Sequence, residues 1–356
     1  MYTGVYFEME GSREEYPYIS VIIPMRNEEA FIKACLESVL SCDYPHERME
    51  VLLLDGMSRD RTREIIKEIL QPGHHAEVKL LENPGLTFPA AVNAGFRASA
   101  GDYILILGAH AVYPPDYFSA CIETALRTGA ENTGGVLITE GLNQSLAGKA
   151  ISLVLSSAFG VGNSTFRTGS NVEQEVDTVF GGCYKRSVFE KLGGFNEKLV
   201  STSDMDFNTR LMKTGGRIIM NPAIRLTYFT RTDFGKFFRN NFRNGYWVIY
   251  PLKYLNYLPV RVRHLIPLIF VSGLLGGAAL SLVWTPLAWA YLGVMSLYFM
   301  MAALFSLRAA LKNPLYLLLM PFLFFILHSV YGLGSWVALI KVIFTKSERA
   351  GHEAGV

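Results

Sequence analysis

The side chains best placed to do chemistry are one imidazole and a few carboxylates that stand just past short apolar runs. His110 follows Tyr103–Leu107 (YILIL), a run bracketed by Gly101, Asp102 and Gly108. It reads as a buried strand ending abruptly at small residues. In open α/β sheets ligands bind at the carboxyl ends of the strands, so His110 stands where chemistry is expected. Asp55 closes the run Glu50–Leu54 and can cap the turn made with Gly56 and Ser58. Asp204 opens a helical segment in which Asp206 and Arg210 follow. An N-capping Asp with an ion-paired face is one use of that pattern.

Elements to carry these residues recur along the chain. Ile19–Pro24 is a β-branched run stopped by proline, and Glu28–Leu40 follows with helical spacing. Glu50–Leu54 then predicts a strand and Asp60–Leu70 a helix with Asp60 as N-cap. Val78–Leu81 and Pro89–Ala98 repeat strand and helix before Tyr103–Leu107. The alternation predicts an α/β domain with a mostly parallel sheet. Beyond it, Gly134–Thr139 predicts a strand, Asn163–Glu175 a mobile loop beside the site, and Val179–Gly182 a lead into a helix at Arg186–Leu192 ended by glycines. Asp204–Lys213 predicts the next helix, with Arg217–Met220 returning to the sheet.

Half of the 356 residues are hydrophobic, and the excess is concentrated after residue 264, which points to a soluble front and a membrane-like back. Leu265–Val283, Pro286–Phe305 and Leu315–Ile340 are each long and apolar enough to cross a bilayer. His328 in the third is a polar group at membrane depth, expected to serve a helix contact. Ahead of these stretches, Phe234–Tyr257 mixes aromatics with Arg and Lys, as a segment lying in the membrane interface does. Arg261, Arg263, His264, Arg308 and Lys312 favour a cytoplasmic front domain, whereas Lys341, Lys346 and Arg349 would then lie outside after three spans. The last stretch is therefore expected either to break the positive-inside bias or to bend back at Pro321 and Gly332. The N-terminus has no basic start followed by an apolar region, so no cleavable signal is expected. A net charge of +2 with no long run of one sign gives no argument for nucleic acid, and none is expected as a partner. Cys35, Cys42, Cys121 and Cys183 lack metal-ligand spacing and are expected to be reduced thiols.

Five blocks, SVIIPMRNEE at 20–29, LLLDGMSRDRT at 52–62, PAAVNAGFRASAGDYILIL at 89–107, FGGCYKRSVFEKLGGFNE at 180–197 and SDMDFNTRL at 203–211, resemble in order and spacing the family 2 glycosyltransferases. Within that family the chain looks most like the membrane-anchored enzymes of bacterial exopolysaccharide assembly, of the succinoglycan kind. The resemblance implies a GT-A fold, Rossmann-like with a mostly parallel sheet, that uses a nucleotide sugar (UDP by family default) with Mn²⁺ or Mg²⁺. It places Pro24, Arg26, Asn27, Glu28, Asp55, Asn93, Arg210 and Arg243 at the donor, His110 at the metal, and Asp204 as general base. Gly181, Gly182, Asp206 and Trp247 fall on the acceptor side. The family's DxD reads Gly108-Ala109-His110 here, Ser203 replaces the Glu before the base, and the QxxRW of processive relatives is altered around Asn240, Arg243 and Trp247.

The resemblance further implies an inverting enzyme that moves a single sugar to a lipid-linked saccharide on a polyprenyl diphosphate. The alternatives are transfer to polyprenyl phosphate itself, or a non-catalytic nucleotide-sugar-binding subunit. The expected division is a lead-in at 1–17, a GT-A domain at 18–232, an interfacial segment at 233–263, a multi-pass inner-membrane region at 264–344 and a tail at 345–356.

Overall fold

The computed structural model describes residues 16–70, 76–141, 145–230, 233–345 and 348. Most of the lead-in and tail lies outside these residues. β1 (Ile19–Met25) and β2 (Met49–Asp55) are apolar for most of their length and buried on both faces, as parallel strands covered by helices must be. α1 (Ile32–Leu40) connects them, and α2 (Thr62–Ile69) leads to β3 (Glu77–Glu82). α3 (Phe88–Ala98) starts where the Thr87 hydroxyl accepts from the Ala90 N–H and Pro89 occupies the first turn. β4 (Tyr103–Ile106) and β5 (Ala111–Val112) flank His110, and α4 (Tyr117–Thr128) follows. The chain continues through β6 (Asn132–Gly141), α5 (Leu146–Leu155), α6 (Ala158–Val161), α7 (Thr165–Thr168) and β7 (Gln174–Glu175). β8 (Phe180–Lys185), α8 (Arg186–Leu192), α9 (Ser203–Lys213) and β9 (Ile218–Thr230) complete this part.

The sheet order is β3-β2-β1-β4-β8-β6-β9-β5, with β7 pairing β9. β3, β2, β1 and β4 are parallel, so Met25 and Asp55 end side by side at one rim. β8 reverses direction between β4 and β6, which makes the sheet mixed. One face packs α1, α2 and α4, and the other packs α3, α8 and α9. On that second face Phe207 of α9 meets Phe189 and Phe195 with ring centres 4.7 and 4.6 Å apart. Each such buried ring contributes about 2–3 kcal/mol, and together they fix the helix that presents Asp204. The loop expected at 163–175 instead contains α7 and β7, because Phe166 packs against the core beside Phe180 and Tyr228. Burial pushes the Cys35 and Cys183 thiols up to about 12, and all four cysteines are unpaired with one another.

α10 (Phe234–Ile249) begins at Asp233, whose carboxylate accepts from the Gly235 N–H at 2.7 Å. It buries Phe237, Asn241, Gly245, Val248 and Ile249 and exposes Lys236, Arg239 and Arg243. α11 (Ile266–Ser281), α12 (Thr285–Ala310) and α13 (Tyr316–Phe344) follow. With the turn that precedes α11, the three helices are 20, 26 and 29 residues, long and apolar enough to cross a membrane. α13 runs unbroken through Pro321 and Gly332, so the expected bend is absent. Its far end is nonetheless tied back to the segment before α11, where Lys253 pairs with Glu348 at 2.8 Å. α10 and α13 touch backbone to backbone: a Cβ on Gly245 would stand 1.8 Å from the Tyr331 carbonyl oxygen, and one on Gly334 would stand 2.2 Å from that of Phe242. His328 serves a helix contact, its Nδ1 lying 2.8 Å from the Tyr298 hydroxyl.

Candidate active site

The turns after β1 and β2 are stitched into one rim. Asn27 adopts a positive φ of 55°, a conformation Asn tolerates better than most residues, and this turns its backbone toward the second loop. Its N–H donates to Ser58 Oγ at 2.9 Å, and its Oδ1 accepts from the Arg59 N–H at 2.9 Å. The Glu28 N–H donates to Thr62 Oγ1 at 2.8 Å, and the Glu29 N–H to Asp60 at 3.1 Å. Asp60 thus caps α2 from one residue further out than the sequence suggests, accepting from the Thr62 N–H at 3.1 Å.

Asp55 is fully buried; it accepts from the Ser58 N–H at 3.1 Å and from the Arg63 guanidinium, which also reaches Glu82 at 3.3 Å. These contacts order the rim and realise the turn-capping use of this residue. Arg26 is exposed on the same rim, its stem against Gly56, and Pro24 lies opposite Leu54 in the sheet.

His110 is set between β4 and β5 by the Phe229 N–H, which donates to its carbonyl at 3.0 Å. Its Nδ1 stands 3.5 Å from Glu28 Oε1 and its Nε2 3.1 Å from the Tyr228 hydroxyl. The Phe31 ring packs 6.0 Å away. No group of three or more His, Cys, Asp or Glu that could hold a metal occurs among the described residues. At Gly108 a Cβ would meet the Phe180 ring at 2.9 Å, so the space that a carboxylate would need is filled by an aromatic. One imidazole beside one carboxylate still fits an ion held chiefly by substrate phosphates, and the nitrogen donor suits Mn²⁺ better than Mg²⁺.

Asp204 stands in the first turn of α9, half-buried. Burial pushes its carboxyl above the ordinary range, against the opposing pull of backbone N–H groups and the Arg167 guanidinium. Arg167, on α7, faces the Tyr228 hydroxyl, Asp204 and the Tyr331 hydroxyl, and burial makes its charge costly. It therefore lies within electrostatic reach of both Asp204 and Tyr228, the hydroxyl partner of His110. Neither Arg167 nor Tyr228 stands out in the sequence; a lone arginine in a Ser/Thr/Gly stretch and an alternating Tyr near residue 228 are the available signals.

Several other expected site residues are committed elsewhere. Asn93 is buried with its amide spent on the Phe195 backbone, at 2.7 and 2.9 Å, and on Glu197. It joins α3 to the loop after α8. Arg210 pairs with Asp206 at 2.9 Å and donates to the Leu192 and Gly194 carbonyls. Asp206 is buried and accepts from the Tyr257 hydroxyl at 2.6 Å. Both therefore fix α9 in place. Gly181, at φ +66°, and Gly182 lie within β8, where a Cβ would strike Tyr117 or Asn132; their close approach is to the protein itself. Trp247 packs edge-on to Tyr250 in the cluster at the end of α10, and Arg243 is exposed on that helix.

The same architecture is found in solved enzymes. Over 93% of this chain and 88% of the other, the fold matches that of a mannosyltransferase from Pyrobaculum calidifontis solved with GDP-Man and Mn²⁺, at TM-score 0.62 and 18% identity. The fold is thus the GT-A fold. A model of glycosyl transferase family 2 matches residues 20–193. A Methanococcus voltae dolichyl N-acetyl-α-D-glucosaminyl phosphate 3-β-D-2,3-diacetamido-2,3-dideoxy-β-D-glucuronosyltransferase is 30% identical over 343 residues, 91% of this chain and 98% of that one. The succinoglycan biosynthesis protein ExoA of Rhizobium meliloti is 30% identical over 227 residues, 63% of this chain and 67% of that protein. The chain belongs to glycosyl transferase family 2 and is a glycosyltransferase.

Proposed function

We propose that the protein transfers one sugar from a nucleotide-sugar donor to a lipid-linked saccharide at the cytoplasmic face of the inner membrane, with inversion at the anomeric carbon. The observation that carries this reading is Asp204, a carboxylate of raised pKa in the first turn of a helix held by aromatic packing, with the Arg167 guanidinium acting on both it and Tyr228, the hydroxyl beside His110. Asp204 would take the proton of the acceptor hydroxyl as that oxygen attacks opposite the leaving diphosphate. The rim at Pro24, Arg26, Asn27, Glu28 and Asp55 would receive the nucleotide. His110 and Glu28 would hold a divalent ion together with the diphosphate; when bound, such an ion offsets the charge that develops on the leaving group.

The lipid-linked acceptor is supported by the activities of relatives, the dolichyl phosphate enzyme above and an undecaprenyl-phosphate 4-deoxy-4-formamido-L-arabinose transferase of Aeromonas hydrophila, 34% identical over 110 residues. The three apolar helices and the basic, exposed face of α10 support a membrane location. On this reading residues 18–232 form the transferase, 233–263 the interfacial segment and 264–344 the membrane region.

The test is nucleotide release by the purified full chain in detergent, with a panel of UDP- and GDP-sugars, a membrane lipid extract, and Mn²⁺, Mg²⁺ or EDTA. Release that is donor-selective, lipid-dependent and lost in His110→Ala is expected. Nucleotide binding without release under every condition would identify a non-catalytic subunit.

A further inference from the structure

The Arg167 guanidinium makes no hydrogen bond and no ion pair among the described residues; its own neighbour Phe166 lies under it, ring centre 5.2 Å away. α6 and α7, which carry it, are clamped to the membrane helices by Phe159. That ring contacts Tyr298 at 5.4 Å, Phe305 at 5.3 Å, Phe324 at 5.0 Å and His328 at 5.4 Å. The connecting Gly162 lies against the stem of Arg263, with a Cβ there 3.5 Å from Cδ.

Arg263 stands in the turn that starts the first apolar helix. One of its nitrogens donates to Asp177 at 2.6 Å, while its buried Nε has no partner. Asp177 is shared with Arg261 at 3.9 Å, and the Tyr331 hydroxyl lies 3.1 Å from His264 Nδ1. The charged groups facing this corner are thus Arg167, Arg261 and Arg263 against Asp177 and Asp204, an excess of cation with unused N–H donors. A guanidinium nitrogen buried without a partner, as Arg263 Nε is, is costly, and phosphate oxygens are the acceptors a guanidinium fork fits best.

We propose that Arg167 and Arg263 bind the phosphate of the lipid acceptor, the one nearest the sugar that is to be extended. The assignment rests on the transferase reading above and adds the substrate class at that site, an isoprenoid-phosphate-linked sugar. The level of the site favours acceptor over donor. It lies where the chain enters the first apolar helix and where α13 contributes Tyr331, so a lipid whose tail follows those helices brings its phosphate here and its sugar toward Asp204. The donor rim at Asn27, Asp55 and Ser58 is fully engaged on the other side of His110.

The test is equilibrium binding of farnesyl phosphate to the full chain in detergent, with farnesol, inorganic phosphate and dioctanoyl phosphatidic acid as comparison ligands and a nucleotide titration alongside. Wild type is expected to bind farnesyl phosphate at least tenfold more tightly than any of the three. Arg167→Ala is expected to lose at least tenfold with nucleotide affinity unchanged, and Arg167→Lys to recover most of the loss. Arg167 has no hydrogen-bond or ion-pair partner to strand among the described residues, so the alanine variant should fold; Arg263→Ala, which frees Asp177, is the second variant and is checked by thermal melting. Unchanged farnesyl phosphate binding in Arg167→Ala would overturn the proposal, as would a loss that falls on nucleotide, or phosphatidic acid binding as tightly. If wild type and Arg167→Ala transfer sugar to lipid with the same KM, the site assignment fails while the transferase reading stands. If wild type transfers nothing, that reading fails, and the binding measurement still decides the site.

Discussion

At the rim of β1 and β2, Asn27, Asp55, Ser58, Asp60 and Thr62 satisfy one another's backbone and side chains within about 3 Å, with Arg63 closing the set. Around Asp204 the opposite holds: Arg167 has no partner among the described residues, Arg263 leaves Nε bare, and the carboxyl itself is held above its ordinary range by burial. In the first region the groups are matched to one another, and in the second a buried guanidinium nitrogen is left without a partner. On the proposed reading the donor half is preorganised, and stability is given up on the acceptor half where chemistry needs reactive groups.

Substitutions should separate the two halves. The largest effect is expected from Asp204→Asn, a loss of about 10²–10⁴-fold in turnover with nucleotide affinity intact by calorimetry; equal losses in both would erase the distinction. Arg63→Ala strands the buried Asp55 carboxylate and should cost about 3 kcal/mol of stability, read as a lower melting temperature together with weaker nucleotide binding. Gly245→Ala forces a methyl against the Tyr331 carbonyl oxygen; an overpacking cost of about 1–3 kcal/mol is expected, visible as earlier detergent melting.

The smallest effect is on pH dependence. The base must be ionised, and burial raises its pKa, so kcat should fall as pH drops through a value above the ordinary carboxylate range. Arg167 opposes that rise, so Arg167→Ala should move the inflection higher still. An inflection in the ordinary range that does not move in the variant would mean that Asp204 is not the group titrated.

The first strands are legible in the sequence because β1, β2 and β4 are continuous apolar runs ended by Pro, Asp or Gly, and α9 because its caps and spacing are local. β9 is legible only at its start: Asn221-Pro222 interrupts the pattern, and the register against β6 shifts there before pairing resumes at Arg225. The position of His110 at a strand end is readable from the apolar run before it, yet its neighbours Glu28 and Tyr228 come from residues 82 before and 118 after it, a register no local pattern encodes. Asn93, Arg210 and Asp206 sit inside the family blocks, and only their packing reveals that they hold the loop after α8 and helix α9. Arg167 is hidden in a stretch that looks like loop, because what orders it is a phenylalanine contact with helices more than a hundred residues away.

If Asp204 drives sugar transfer from a nucleotide donor to a lipid-linked acceptor, the most direct measurement is the appearance of radiolabelled sugar in the lipid phase. A panel of labelled nucleotide sugars would be offered to wild type and Asp204→Asn side by side. Label entering lipid with wild type alone, from one donor class, is the predicted result. Equal transfer by Asp204→Asn, or no transfer from any donor by a wild-type protein that binds nucleotide, would contradict it.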